Sequence, residues 1–314
     1  MLLRGSIRGH LWLGAPALLL AVAIIAAAAV SSRDMVSAGN LGNLVNRVLP
    51  LALVGLGETL ALLAGRIDLS VGAVISLSTA ILATTSARLG WFSVPLTLVA
   101  GLACGALNAA GVRLLRVDAL ITTLAVAAIV EGGALLLLPT PGGEVDYSYY
   151  DAFYGQDLPL GWPLATIVVV FALAFVALGY TRFGRRLYAV GSDRRAAFAN
   201  GVDVADVETA TFLLSGLLAS AAGVAVGIKI LSGDPHIGDS FTLDAVSAAV
   251  LGGVALSGGR GGALGALAGA AALVLIGNAF NLLELNPNLQ QIAKGVIFLA
   301  ALTLFMRGSR PRTA

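Results

Sequence analysis

The stretch LWLGAPALLLAVAIIAAAAV, residues 11–30, is an uncharged apolar run. Such a run, about 20 residues long, matches the hydrocarbon thickness of a bilayer when coiled into a helix. Similar runs recur along the 314 residues of the chain. In lipid every backbone polar group must be satisfied internally, which leaves helices or a closed barrel. Barrel strands would alternate in polarity, and these runs do not. The expectation is therefore an all-α, polytopic membrane protein. Composition agrees: 11% of residues are charged and 58% hydrophobic, with a mean hydropathy of +0.93. A soluble domain carries roughly a quarter charged residues. Arg4 and Arg8 ahead of the first run resemble a signal peptide. Its length suits a retained first span better than a cleaved segment. The single cysteine, Cys104, excludes an intrachain disulfide.

About ten segments are read by hydropathy, some short or broken. They lie near 11–30, 47–65, 70–87, 92–112, 119–138, 162–180, 208–231, 244–257, 262–283 and 289–306. The whole chain, 1–314, reads as a single transmembrane domain. With the N-terminus inside, the inner pieces hold Arg4, Arg8, Arg66, Arg113, Arg116, Arg182, Arg185, Arg186, Arg194, Arg195, Arg260, Arg307, Arg310 and Arg312. The outer pieces hold Arg33, Arg47 and Arg88. The loop at 139–161 carries Glu144, Asp146, Asp151 and Asp157 and no basic residue. The positive-inside rule then places both termini in the cytoplasm. Lys229 and Lys294 fall near segment ends, where they are expected to snorkel.

Residues 64–73, AGRIDLSVGA, interrupt two apolar runs. On this topology they form an inner turn with Arg66 hydrated. Asp68 or Ser70 caps the next helix, and Gly72 lies in its first turn. LSGGRGGALGALAGAAAL at 256–273 repeats the pattern of an arginine among glycines. Two weakly similar halves running in the same direction are expected. Gly261, Gly265 and Gly269 share a helix face at four-residue spacing, as for close helix packing.

The longest inner piece, 181–207, is basic and then acidic. Within it, SDRRAAFANG predicts a short helix. Ser192 or Asp193 caps it, Ala196, Ala197 and Phe198 form its body, and Gly201 ends it. Such a helix either seats in a partner's groove, with Arg194 and Arg195 at the rim, or rests on lipid headgroups.

AGRIDLSVGA, TRFGRRLYAVGSDRRAAFANGVDV, LDAVSAAVLGGVALSGGRGGALG and NLQQIAKGVIFLAAL together resemble the permease subunits of bacterial ABC importers for monosaccharides, the ribose/xylose/galactose type. The resemblance spans about residues 45–306 in order. It implies a pore of two permease subunits, either a homodimer or a pair with a related permease. It also implies a partner ABC ATPase and a periplasmic sugar-binding protein that delivers the solute. ATP and Mg would be bound by the ATPase, with no cofactor in this chain, and the location would be the bacterial inner membrane. The segment matching 191–201 is the ATPase-coupling helix of that family. Gly191, Ser192, Asp193, Arg194, Arg195, Ala196, Ala197 and Gly201 occupy its motif positions. The chain departs from the family at Arg66, usually glycine, at Asp118 and Ala119, where prolines are common, and at Ala109, usually glycine.

Polar residues at membrane depth need a reason. Glu58, Asp68, Asn108, Glu131, Asn278 and Asn281 are candidates for the translocation pathway, since a sugar is recognised through its hydroxyls. Interhelical hydrogen bonding is the competing role. Asp68 and Asp244 also fall at expected helix starts, where they would cap. Gln290, Gln291 and Lys294 open the tenth segment. The outer loop at 139–161, with Tyr147, Tyr149, Tyr150, Phe153 and Tyr154, serves either to dock a binding protein or as an interfacial belt.

No catalytic group is indicated. SGGRGG lacks the Lys-Ser/Thr of a phosphate loop. His10 and His236 fall on opposite sides of the membrane, and one cysteine gives no metal site. The arginines are spread over many turns, unlike a nucleic-acid patch. Three classes stay open: an importer permease, for a sugar or for another small solute such as a nucleoside; a stand-alone ion-gradient transporter using Glu58 and Glu131; and a membrane-embedded enzyme, for which no catalytic pair is found.

Overall fold

The computed structural model describes residues 37–155 and 161–308. The expected segment at 11–30, His10, Arg310 and Arg312 lie outside the described residues. Every regular element among those described is a helix. In chain order they are α1 (Ala38–Leu63), α2 (Val71–Leu89), α3 (Ser93–Arg113), α4 (Ala119–Leu137), α5 (Tyr147–Tyr154) and α6 (Gly161–Tyr180). There follow α7 (Arg182–Ser192), α8 (Arg194–Ala199), α9 (Val204–Ile230), α10 (Asp239–Leu251), α11 (Ala263–Leu282) and α12 (Pro287–Gly308). A short 3-10 turn, Gly90–Phe92, joins α2 to α3.

Six helical stretches among the described residues are long and apolar enough to cross a membrane: Gly39–Leu63, Val71–Arg113, Ala119–Leu137, Gly161–Tyr180, Val204–Ile230 and Ala263–Leu282. The second of them holds both α2 and α3. Helix α10 has 13 residues, about 20 Å of rise, and is too short to span alone. It starts at Asp239 rather than near 244, because the polar run DSFTL continues the helix where hydropathy alone sees none. Asp244 is therefore inside α10 and does not cap it.

Helices α1 and α9 form the centre and are mostly buried. Helices α4 and α6 form the rim. On α6, Val168, Val169, Leu173 and Val176 face outward, while Ile167, Phe171 and Leu178 pack inward. An apolar outward face is what lipid requires. Small residues let the inner helices approach closely. Helices α3 and α9 run antiparallel, with Gly101 against Gly216 and Ser220, and Gly105 against Phe212. Gly265 and Gly269 of α11 meet Gly252 and Ala248. Gly261 does not share that face. It precedes α11 with φ +126°, so the expected glycine stripe begins one turn later.

At one end of the bundle, Gly142 and Gly233 exchange backbone hydrogen bonds of 2.9 and 2.8 Å. The segment 139–155 folds over this end as α5 and is no plain loop. Trp91 stacks on Tyr149 with ring centroids 4.1 Å apart, and Tyr154 Oη donates to the Ala225 carbonyl at 2.9 Å. Tyr147 remains exposed. At the other end, the two glycine–arginine turns come together: Gly259 N–H donates to the Leu63 carbonyl at 3.1 Å.

Candidate functional site

The segment 181–207 builds onto that second end. Thr181 Oγ1 accepts from Gly184 N–H and starts α7. Asp193, not Ser192, caps α8: its Oδ1 accepts from the N–H groups of Arg195 and Ala196, both at 2.9 Å. Helix α8 ends at Ala199, and Gly201 turns the chain with φ +79°. Gly191 packs so tightly that a Cβ there would fall on the Leu63 carbonyl. Gly258 and Gly259, both at positive φ, bring the second turn against Gly191 and Ser192. Tyr188 Oη donates to the Gly261 carbonyl at 2.8 Å. Burial pushes this hydroxyl up from its ordinary pKa, which keeps it a donor. The coupling candidate therefore touches both internal turns. Of its residues, Ala197 is buried within the chain and Gly191 serves backbone packing. Ser192, Asp193, Arg194, Arg195 and Ala196 are exposed, and Phe198 faces outward with 73% of its surface accessible.

Arg66 is not a hydrated turn residue. Its side chain is 17% exposed, and its Nε donates to Glu208 Oε1 at 2.9 Å. Arg194, the first residue of α8, grips the same carboxylate with both terminal nitrogens, 2.8 Å to Oε1 and 2.9 Å to Oε2. Glu208 is 4% exposed, so its charge depends on these two guanidiniums. Arg66 also reaches Asp118 Oδ2 at 3.5 Å. Asp118 in turn caps α4 by accepting from Leu120 N–H. The two departures Arg66 and Asp118 thus pair with each other. A cleft of about 500 Å³ opens beside them, lined by Arg66, Arg113, Arg116, Asp118, Arg194 and Glu208 among others.

Of the residues assigned to a pathway, Glu58, Asp68 and Asn108 meet in one buried cluster. Asp68 Oδ1 accepts from Ser70 N–H at 3.0 Å, Ser70 Oγ at 2.6 Å and Asn108 Nδ2 at 3.2 Å. Its Oδ2 accepts from Ser215 Oγ at 2.7 Å. Ser70 makes no side-chain cap of its own. Glu58 Oε2 accepts from Asp68 N–H at 3.3 Å, while Glu58 Oε1 and Asn108 Oδ1 are buried without a partner among the described residues. The cluster ties α1, α3 and α9 to the turn. Glu131 stands apart, half exposed, 3.8 Å from His236. With Asp239 these residues place ligand-type atoms within 4.8 Å of one another, a grouping that sequence spacing does not suggest. Asn278 is buried with its Nδ2 unpartnered among the described residues, and Asn281 is exposed.

A further polar feature is not visible in the sequence. Lys294 does not snorkel: its Nζ pairs with Asp244 Oδ2 at 2.6 Å. The pair borders a cavity of about 310 Å³ with Asn46, Arg47, Lys229 and Gln290 on its wall. The partners are 50 residues apart, and no local motif announces them.

Comparison with known proteins bears on the whole arrangement. The family model described as branched-chain amino acid transport system / permease component matches residues 40–302. The ribose import permease protein RbsC of Haemophilus influenzae is 33% identical over 289 residues, covering 89% of each chain. Its namesake in Bacillus subtilis is 34% identical, covering 84% of each. The L-arabinose transport system permease protein AraH of Escherichia coli is 33% identical, covering 79% of this chain and 77% of the relative. No solved structure matches. The match over nearly all of the helical bundle, together with these relatives, establishes that the chain belongs to this family of transport-system permease components, multi-pass membrane proteins that serve transport rather than catalysis.

Proposed function

We propose that this chain is the membrane subunit of an ATP-driven importer for a monosaccharide of the ribose, xylose or galactose kind. The observation that carries the reading is α8. It is a six-residue helix capped by Asp193, anchored to the chain through Ala197 and Arg194, with Phe198 exposed on its outer side. An exposed aromatic on a rigid short helix fits a groove in a partner. Here the partner is an ABC ATPase, which binds the ATP and Mg. The sugar assignment draws on the ribose and arabinose relatives. The opposite end, with Tyr147 and its acidic neighbours, receives a periplasmic binding protein. The full reading has ten segments, both termini cytoplasmic, a bacterial inner-membrane location and a second permease copy completing the pore.

ATP closure of the ATPase pair moves α8, and the helices packed on it rock between outward and inward access. Purification of the chain from its native membranes in mild detergent, beside a Phe198→Asp variant, tests this. An ATPase is expected to come down with the parent and to be reduced at least about tenfold in the variant. A parent preparation without any ATPase would sink the reading. Uptake of labelled ribose into vesicles holding the assembled complex then tests the sugar class.

A further inference from the structure

The ion cluster at the α8 end supports an inference that rests on the reading above and deepens it. We propose that Arg66, Glu208 and Arg194 form the mechanical link that carries movement of α8 into the buried Asp68 turn, with Glu208 and Arg66 as positioning residues.

Besides the Tyr188–Gly261 hydrogen bond to the second turn, two kinds of contact join α8 and its approach to the internal turns. The first is close backbone packing of Gly191 and Ser192 on Leu63, Gly258 and Gly259. Packing of this kind resists compression but not separation, since dispersion attraction between a few atoms is weak. The second is the two-pronged grip of Arg194 on Glu208, which also holds Arg66. Bidentate guanidinium–carboxylate pairs are directional and strong. They resist both pulling and shear. A transporter cycle needs a stroke in each direction, and this second contact can transmit the pulling one to the Asp68 turn.

The far side of the link is equally specific. Arg66 lies two residues from Asp68, and Asp68 fastens the turn to Asn108 of α3 and Ser215 of α9. Leu69 N–H donates to Thr123 of α4, and Arg66 reaches the α4 cap at Asp118. A displacement of Arg194 therefore bears on α2, α3, α4 and α9 through one carboxylate. Glu208 is held inside the bundle, 4% exposed, so the link does not dissolve into solvent when α8 shifts.

The test uses the permease assembled with its own ATPase in liposomes. A reporter thiol is introduced by Leu69→Cys, with Cys104→Ser removing the native one. Maleimide labelling at the reporter is compared with and without ATP plus vanadate. The parent is expected to change its labelling rate at least about fivefold. Arg66→Met and Glu208→Gln should each bring that ratio to within about twofold of unity. The ATPase should still co-purify with both and hydrolyse ATP within about twofold of the parent. Arg66→Lys should recover at least half of the response, which a purely structural role would not require. Retention of the full response in Arg66→Met and Glu208→Gln overturns the link, as does a parent whose turn shows no ATP-dependent change. Loss of the ATPase from both variants but not the parent also overturns it, since the cluster then only seats the partner. Absence of ATPase from the parent itself overturns the functional reading along with it.

Discussion

Ser215 Oγ donates to Asp68 Oδ2 over 2.7 Å, joining α9 to the 64–70 turn across 147 residues of sequence. With Ser70 and Asn108 on its other oxygen, Asp68 is an acceptor on every side. Asp68→Asn places an amide NH₂ against one of these donors. An orphaned buried donor costs about 1–3 kcal/mol, so this variant should lose stability toward the upper end of that range. Ser215→Ala removes a single bond and should cost about 1.5 kcal/mol. Cys104 is buried and is the chain's one cysteine. Thermal unfolding in detergent with a thiol-reactive dye therefore reads both variants. An Asp68→Asn melting temperature equal to that of the parent would contradict this account.

Glycine spacing makes a sharper prediction when the glycines are compared. A Cβ at Gly216 would strike the Gly101 carbonyl, whereas a Cβ at Gly132 meets nothing within 4 Å. Gly132→Ala should leave stability unchanged or raise it by up to about 1 kcal/mol through helix propensity. Gly216→Ala must push α3 and α9 apart and should destabilise by about 1–3 kcal/mol. The same dye assay ranks them, and equal melting temperatures for the two variants would refute the packing argument.

What the sequence showed and what it hid divide along the range of the interaction. The apolar runs, a cap at Ser192 or Asp193 and the turn at Gly201 are local and readable from a few neighbouring residues, though the choice of Asp193 over Ser192 is not. Nor is the length of α10. Hydropathy counts side chains, and DSFTL looks like loop until Gly238 and Thr242 are seen against Gly72. Arg66 reads as a hydrated residue in the sequence because its partner Glu208 lies 142 residues away. The candidate helix at 191–201 was visible, but not which face it shows. Ala197 turns inward and Phe198 outward, a distinction set by how α8 docks on α7 and α9. Likewise Asp244 resembles a cap only until α10 is seen to start at Asp239, five residues earlier.

Tyr188 gives a pH-dependent prediction. Burial raises its pKa in the folded chain, while the unfolded value stays near the ordinary ~10. Below about pH 10 both states hold the proton, so this group adds no pH dependence to stability. Above it the unfolded chain loses the proton first, and stability falls as pH rises. Tyr188→Phe removes the hydrogen bond to Gly261 and should cost about 1 kcal/mol at neutral pH. It should also flatten the alkaline fall. Melting curves at pH 7 and pH 10.5 for parent and variant check the sign, and an alkaline fall of equal size in both would refute it.

The Asp244–Lys294 pair lies between the surface and buried limits, with side chains 21% and 24% exposed. An exposed pair contributes about 0–1 kcal/mol, and breaking a buried pair by removing one partner costs about 3–5 kcal/mol. Lys294→Met leaves Asp244 unpaired beside the cavity and should cost about 2 kcal/mol on that scale. Asp244→Asn leaves Lys294 near Lys229 and Arg47 on the same wall, so like charges gather and a similar loss is expected. The double variant removes both charges. It should recover most of the stability, because neither residue is then left without its partner. Uptake should stay low in it, because the cavity wall has then lost both charges. Melting temperature and uptake measured on the two single variants and the double separate these effects. If the two losses simply add in the double variant, the pair makes no direct contribution. If stability and uptake return together, the pair is a strut between α10 and α12 and has no part in passage.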